Sequence, residues 1–305
     1  MHVVISGSSG LIGGALAASL LDDGHRVTRL VRREPHSRDD GSTEARWDPR
    51  AGLLDPAVLD GADAVVGLAG AGVGDRRWTR SYKKQIRDSR VLGTTALATA
   101  ITACEKPPPV FVSGSAVGYY GETGTSEVDE SGAPGRDFLA GVCQEWEAAA
   151  QGAAAVGTRV VNTRFGIVVS PRGGAMGRLL PLARAGLGGR LGSGEQYWSH
   201  ISLSDTVRAL RHIIATDGIT GPVNMTSPHA ATNREVTAAV GRALHRPTVL
   251  AVPGFALRLV LGEFADGILM SQRVLPGALS ASGFTFEHPT IDAALASVVG
   301  RETLG

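Results

Sequence analysis

Three glycines carry the first readable chemistry of this chain. Gly7, Gly10 and Gly13 stand at G-x-x-G-x-x-G spacing, directly after the apolar run His2-Val3-Val4-Ile5-Ser6. Leu11, Ile12, Ala15, Leu16 and Leu20 follow at a helical period. Strand, glycine turn and helix in that order suit a bound pyrophosphate. One glycine makes the tight turn and the next lets the backbone approach the phosphate. The third lets the helix pack on the strand with its positive end toward the anion.

A second charged feature lies where the next strand, Arg26 to Val31, ends in Arg32-Arg33. In NAD-binding units an acidic residue near this point bonds the ribose 2′-hydroxyl. Two arginines instead suit a 2′-phosphate, because guanidinium forks match phosphate oxygens. The expected cofactor is therefore NADP(H). Arg29 and Arg38 make a plain basic turn the competing reading.

The elements that must position these residues alternate. Glu34 to Arg46 is polar and expected as a surface loop, with a short strand and turn near Trp47 and Leu53. Asp63 to Leu68 is a buried strand ending in small residues. Thr79 caps a long helix reaching about Cys104, stopped by Pro107-Pro108-Pro109. Val110 to Gly114 is a strand, Asp137 to Gln151 a helix and Thr158 to Arg164 a strand. A short helix from Gly173 exits through Gly186 to Gly194, read as a loop and not as a second phosphate turn. Tyr197 to Ile201 is a strand, Ser204-Asp205 starts a helix, Gly221 to Met225 closes the sheet, and Thr232 opens another helix. A β-turn-helix arrangement runs from Thr248 to Val299.

This alternation argues for an α/β protein: a Rossmann-type doubly wound parallel sheet with a smaller C-terminal substrate lobe. Residues 1–170 are expected to form the NADP-binding domain, completed by elements around 197–225; residues 171–196 and 226–305 form the smaller lobe. The 305 residues, 43% hydrophobic, suffice for both. A net charge of +1 gives no case for nucleic acid or an anionic membrane. No apolar run reaches the roughly 18–20 residues of a membrane span. Cys104 and Cys143, without paired spacing, read as reduced thiols of a cytoplasmic protein. The histidines show no metal-ligand spacing, so no metal is expected; His200 is read as structural more than functional.

Several segments, in order along the chain, resemble the extended short-chain dehydrogenases, specifically the epimerase family with a C-terminal DUF1731-type domain (the YfcH-like or SDR39U1-like group). They are Ile5 to Gly13, Leu68-Ala69-Gly70, Arg77-Trp78, Ser89-Arg90, Ser113-Gly114-Ser115 with Gly118-Tyr119-Tyr120-Gly121, Arg164 to Val168, Gly186 to Gln196, and Leu244 to Pro247. The family's C-terminal domain would span about 247–299. The resemblance implies that Gly7, Ser8, Ser9, Gly10, Leu11 and Ile12 hold the pyrophosphate, and that Arg32 and Arg33 hold the adenosine phosphate. Leu68, Ala69, Gly70, Ser113 and Gly114 would flank the cofactor, with Arg90 reaching in from the long helix.

Members of the wider superfamily use a Ser, a Tyr and a Lys, in which the tyrosine exchanges the substrate proton and the lysine lowers its pKa. Ser115 is the serine candidate. The Tyr-x-x-x-Lys pair is missing: with Glu147 as the acidic residue four positions after the lysine, Cys143 stands for the lysine and Leu139 for the tyrosine. Tyr119 and Tyr120 are the nearest proton-donor candidates and compete with a packing role. Arg164 is a candidate cation or substrate-carboxylate clamp, and equally a strand-end salt bridge. Glu122, Glu127, Asp129 and Glu130 read as a solvated acidic loop, and Trp146 as core.

The expectation is an NADP-dependent oxidoreductase or epimerase acting on an unidentified small molecule. The alternative is a non-catalytic NADP(H)-binding module read by a protein partner. A homodimer through helices like the one ending at Cys104 is the quaternary expectation.

Overall fold

The computed structural model describes residues 1–299. The first strands are β1 (His2–Ser6), β2 (Arg26–Val31), β3 (Thr43–Arg46), β4 (Ala64–Gly67) and β5 (Val110–Ala116). With the strands Arg159–Phe165 and Gly221–Met225 they form one seven-stranded sheet. Its order is Gly221–Met225, Arg159–Phe165, β5, β4, β1, β2, β3, and every ladder in it is parallel. The order reverses at β1, so the carboxyl ends of β1 and β4, with Ser6 opposite Gly67, flank the crevice where such sheets bind ligands.

The strands form because their side chains are buried on both faces. Val3, Ile5, Val27, Val66 and Val112 pack with Leu16 and Leu20 of helix α1 (Leu11–Asp22) and with Leu210 and Ile213 of the helix Leu203–Ala215. Val4, Leu30, Val65 and Phe111 face the other way, onto Leu97 and Ile101 of helix α2 (Arg80–Thr102). Thr79 caps α2 by accepting the Tyr82 amide, and the helix ends two residues short of Cys104. Asp137 caps helix α3 (Phe138–Ala150) by accepting the Leu139 and Ala140 amides. That fixed start puts Leu139, Cys143 and Glu147 on one face at i, i+4 spacing.

Two expectations change. The polar stretch Thr43–Arg46 is the outermost strand and not loop, paired with β2 from Thr28↔Thr43 to Val31↔Arg46. An edge strand buries little, and only Ala45 of these four packs into a core cluster. The strand expected over Tyr197 to Ile201 is two short ones. Tyr197–Trp198 runs antiparallel to Ala231–Thr232, and His200–Ser202 parallel to Ile167–Val169. Ser199 between them is tied elsewhere: its hydroxyl donates to Gln272 O and accepts the Val274 amide, while its carbonyl accepts the Ile167 amide.

A third apolar cluster lies off the sheet. Met176 and Leu180 of the helix Gly174–Arg184 pack with Val236 and Ala239 of Asn233–Leu244 and with Leu295 of Ile291–Val299. The glycine-rich exit, expected as a loop, also holds one short strand, Gly189–Leu191, which pairs with Leu250–Val252. A Cβ on Gly189 would sit 2.1 Å from Leu250 O. The segment Ser271–Leu275 laces the loop after β5. Gln272 Nε2 donates to the Val117 and Gly121 carbonyls, and Arg273–Val274 pairs with Glu127–Val128. The expected helical arrangement after Thr248 is present through Val299; the end of the expected lobe, residues 300–305, lies outside the described residues.

Candidate cofactor and active site

The glycine turn is as close-packed as its spacing demands. Gly7 has a φ of +74°, and a Cβ there would lie 2.6 Å from the Leu68 carbonyl carbon and 2.7 Å from the Ala69 nitrogen. A Cβ on Gly13 would lie 2.5 Å from Gly7 O. Gly10 caps α1 without any side-chain bond, so the first amides of the helix stay open to an anion. Ser8 is buried; Ser9 and Gly10 are exposed; Leu11 and Ile12 are half-buried. A cradle of backbone and glycine at the sheet's switch point fits a dinucleotide pyrophosphate.

The two arginines after β2 differ. Arg33 forks onto Glu44 at 2.7 and 2.8 Å and donates to Glu34 O. Arg38 reaches the same Glu44 and also Asp40. The Arg33 hydrogen bond, helped by the His36 amide, holds the Glu44 carboxyl down at about 2. Arg32 is exposed and has no partner among the described residues.

On the other side of the crevice, Leu68 and Ala69 are half-buried and Gly70 is exposed. Arg90 stands 3.3 Å from where a Gly70 Cβ would be. Its guanidinium donates to the Ala71 and Ile86 carbonyls and lies over the Trp146 ring. No carboxylate pairs with it among the described residues, and burial lowers its pKa. Ser113 is fully buried within β5, and a Cβ on Gly114 would meet the Trp146 ring at 2.8 Å. Trp146 is core as expected, its indole donating to Thr94 Oγ1.

At the end of β5 the side chains form one connected network. Ser115 Oγ donates to Glu147 Oε1 at 2.6 Å. Arg164 clamps both oxygens of the same carboxylate at 2.8 Å and donates to the Tyr120 hydroxyl at 2.8 Å. That hydroxyl donates in turn to Asn224 Oδ1, and the Asn224 backbone N–H donates to Glu130. Burial opposes the Arg164 charge, but the Glu147 hydrogen bond and charge outweigh it and raise its pKa. Burial pushes the Tyr120 phenol up to about 12. Tyr119 lies half-buried with its ring 3.5 Å from the Arg164 guanidinium carbon. The acidic loop is less solvated than its sequence suggests: Glu130 accepts Asn224 N, and Glu122 accepts Ser271 N.

Leu139 and Cys143 lie on the inner face of α3. Both face the turn after β5, near the position of a Gly118 Cβ. Burial pushes the Cys143 thiol up to about 11, so it is an inert packing group at neutral pH. Leu139 packs within 3.8 Å of a Gly267 Cβ position, on the short helix Phe264–Leu269. Trp78 joins them, its ring 5.2 Å from Phe138 and 5.7 Å from Phe264. Arg77 donates to Leu259 O, Arg178 pairs with Asp75, and Lys83 with Glu263.

His200 is buried, with Nε2 lacking any partner among the described residues. Burial, with the nearby His229 charge opposing a second one, pushes it from 6.5 to about 4. Between those pH values the unfolded chain binds the proton and the folded one does not. Stability is therefore complete above 6.5 and falls as pH drops through the window, by about 3 kcal/mol. His200→Gln is expected to flatten the acid limb of stability measured by denaturant unfolding; an unchanged limb contradicts this assignment. One carboxylate–imidazole cluster exists among the described residues, Asp205 with Glu287 and His288. Asp205 already accepts the Glu287 and His288 amides and Arg208, which makes it a loop clasp.

Neither Glu147 nor Asn224 stands out from the sequence as a site member. Glu147 has a usable signal, its i+4 placement after Cys143; Asn224 has none.

Residues 3–226 match the model of the NAD dependent epimerase/dehydratase family. Residues 252–298 match a domain of unknown function, DUF1731. An epimerase family protein of Mycobacterium bovis is 47% identical over 300 residues, 98% of each chain. Human epimerase family protein SDR39U1 is 36% identical over 303 residues, 98% of this chain and all of that one. A crystal structure of its isoform 2 with NADPH superposes at a TM-score of 0.90, with 34% identity over 98% of this chain and 99% of that one. The chain belongs to the NAD-dependent epimerase/dehydratase family, in its DUF1731-bearing form.

Proposed function

We propose that this protein is an NADP(H)-dependent oxidoreductase or epimerase that handles a small-molecule hydroxyl or carbonyl without a Tyr-Lys pair. The observation that carries the reading is Ser115, held by the Glu147–Arg164 pair at the end of β5. The exposed Arg32 favours NADP(H) over NAD(H), in line with the NADPH of the human relative's structure. When bound, the nicotinamide supplies or accepts the hydride. Gly7 to Ile12 bind the pyrophosphate, and Arg32, with Arg33 beside it, the 2′-phosphate. Leu68, Ala69, Gly70, Arg90, Ser113 and Gly114 flank the rest. Ser115 holds the substrate oxygen. Its own proton is committed to Glu147, so it offers lone pairs to the cleft and accepts from a substrate hydroxyl. Arg164 directs Nε and Nη2 at Glu147 and Nη1 at Tyr120, which supports a positioning role over a substrate clamp. Tyr119, whose hydroxyl has no partner among the described residues, is the better proton-donor candidate of the two phenols.

In this reading the sheet, with the elements around 197–225, is the cofactor domain, and the third apolar cluster with the residues from Thr226 onward position the substrate. No described helix is long and apolar enough to cross a membrane; a cytoplasmic, dimeric protein without nucleic-acid or membrane partners belongs to the same proposal.

Leu139 and Cys143 favour a second reading, a catalytically silent NADP(H)-binding module whose state a protein partner reads. The two separate by assay. The enzyme reading expects a substrate-dependent change in nicotinamide absorbance across sugar nucleotides, keto acids and quinones, lost in Ser115→Ala with NADPH affinity kept. NADPH binding with no turnover on any of these, in wild type as in the variant, rejects the enzyme.

A further inference from the structure

A buried side chain on β2 holds the glycine turn from the side. Arg29, opposite Ile5 in the β1–β2 ladder, is 8% exposed. Strands buried on both faces ordinarily carry apolar residues there. Arg29 Nη1 donates to Ser8 O at 3.2 Å, Nε to Ser42 Oγ at 2.8 Å and Nη2 to Asp40 at 3.0 Å. Asp40 also accepts the Ser42 hydroxyl and amide and Arg38. The Arg38 guanidinium holds its carboxyl well below the usual range. One cation thus ties the second residue of the glycine turn to the segment that follows Arg32-Arg33.

We infer that Arg29 is a positioning residue for the dinucleotide. A peptide group is planar and trans, so its carbonyl and amide point in opposite directions. With Ser8 O fixed on Arg29, the Ser9 amide is aimed away from β2, onto the anion side of the turn. Three acceptors at different angles need the guanidinium fork; an ammonium cannot bridge them. The inference rests on the glycine turn being the dinucleotide site.

The test is calorimetric titration of the full chain with NADPH, NADH and 2′-AMP. Arg29→Met is expected to weaken NADPH and NADH alike, by about tenfold to hundredfold, the range of a charge-assisted hydrogen bond. It leaves 2′-AMP, which has no pyrophosphate, within about twofold. A general loss of structure would weaken all three together. If Arg29→Met does not fold, Ser42→Ala and Asp40→Asn each remove one arm of the brace and are expected to weaken both dinucleotides in step, by roughly threefold. Wild-type affinities in a folded Arg29→Met, or a loss confined to NADPH and 2′-AMP, overturn the inference. A wild-type chain that binds neither dinucleotide overturns the site reading itself.

Discussion

Glu147→Ala is expected to lower the free energy of unfolding by about 3–5 kcal/mol, the cost of leaving a buried charge without its partner. The side chains of Arg164 and Glu147 are 4% and 12% exposed. Arg164 directs two of its bonds at this carboxylate and one at Tyr120. No other carboxylate pairs with it among the described residues. Removing Glu147 also releases the Ser115 hydroxyl, so stability and site geometry fail together. A double variant, Glu147→Met with Arg164→Met, should recover most of the loss, since an apolar pair of similar volume replaces a buried ion pair at little net cost. Urea unfolding of the three chains decides it. A single-variant loss under about 1 kcal/mol, the range of exposed pairs, would mean that solvent reaches the pair.

Arg32→Ala is expected to raise the Kd for NADPH by about tenfold to hundredfold and to leave NADH within about twofold. The asymmetry between the neighbouring arginines supports this. Arg32 is exposed without a partner among the described residues, whereas Arg33 is already forked onto Glu44. A phosphate gains Arg32 outright but must compete with a carboxylate for Arg33, so Arg33→Ala should cost less. Titrating both cofactors into the two variants checks the order. Equal weakening of NADPH and NADH by Arg32→Ala would remove the 2′-phosphate assignment.

The parts of the fold and site that are readable in the sequence share a cause: they are local. The glycine turn, the N-caps at Thr79, Asp137 and Thr232, and the buried strands are decided by residues within a few positions of one another. What cannot be read depends on partners far along the chain. Thr43–Arg46 is a strand only because β2 offers it an edge. Glu44 and Asp40 look like surface charges until Arg33, Arg38 and Arg29 converge on them. Glu147 marks a register in the sequence; its hold on Ser115 and Arg164 appears only when α3 packs beside β5 and the next strand. Leu139 is visible on its helix, but its place beside the Phe264–Leu269 helix joins residues more than a hundred positions apart.

The lacing of Ser271–Leu275 onto the loop after β5 bears on how the chain is made. Parallel pairing of Arg273–Val274 with Glu127–Val128 means that the wall beside Tyr120 cannot close until the chain through Val274 has left the ribosome. The strand Gly221–Met225, at the far edge of the sheet, is also late. The amino-terminal half can gather around α1 and α2 early, yet it must wait with an open sheet edge. Such long-range parallel closure is slow and exposes apolar surface meanwhile. Translation arrested before Met225 would therefore release a chain with cofactor-loop residues in place and an unpaired edge, prone to aggregate.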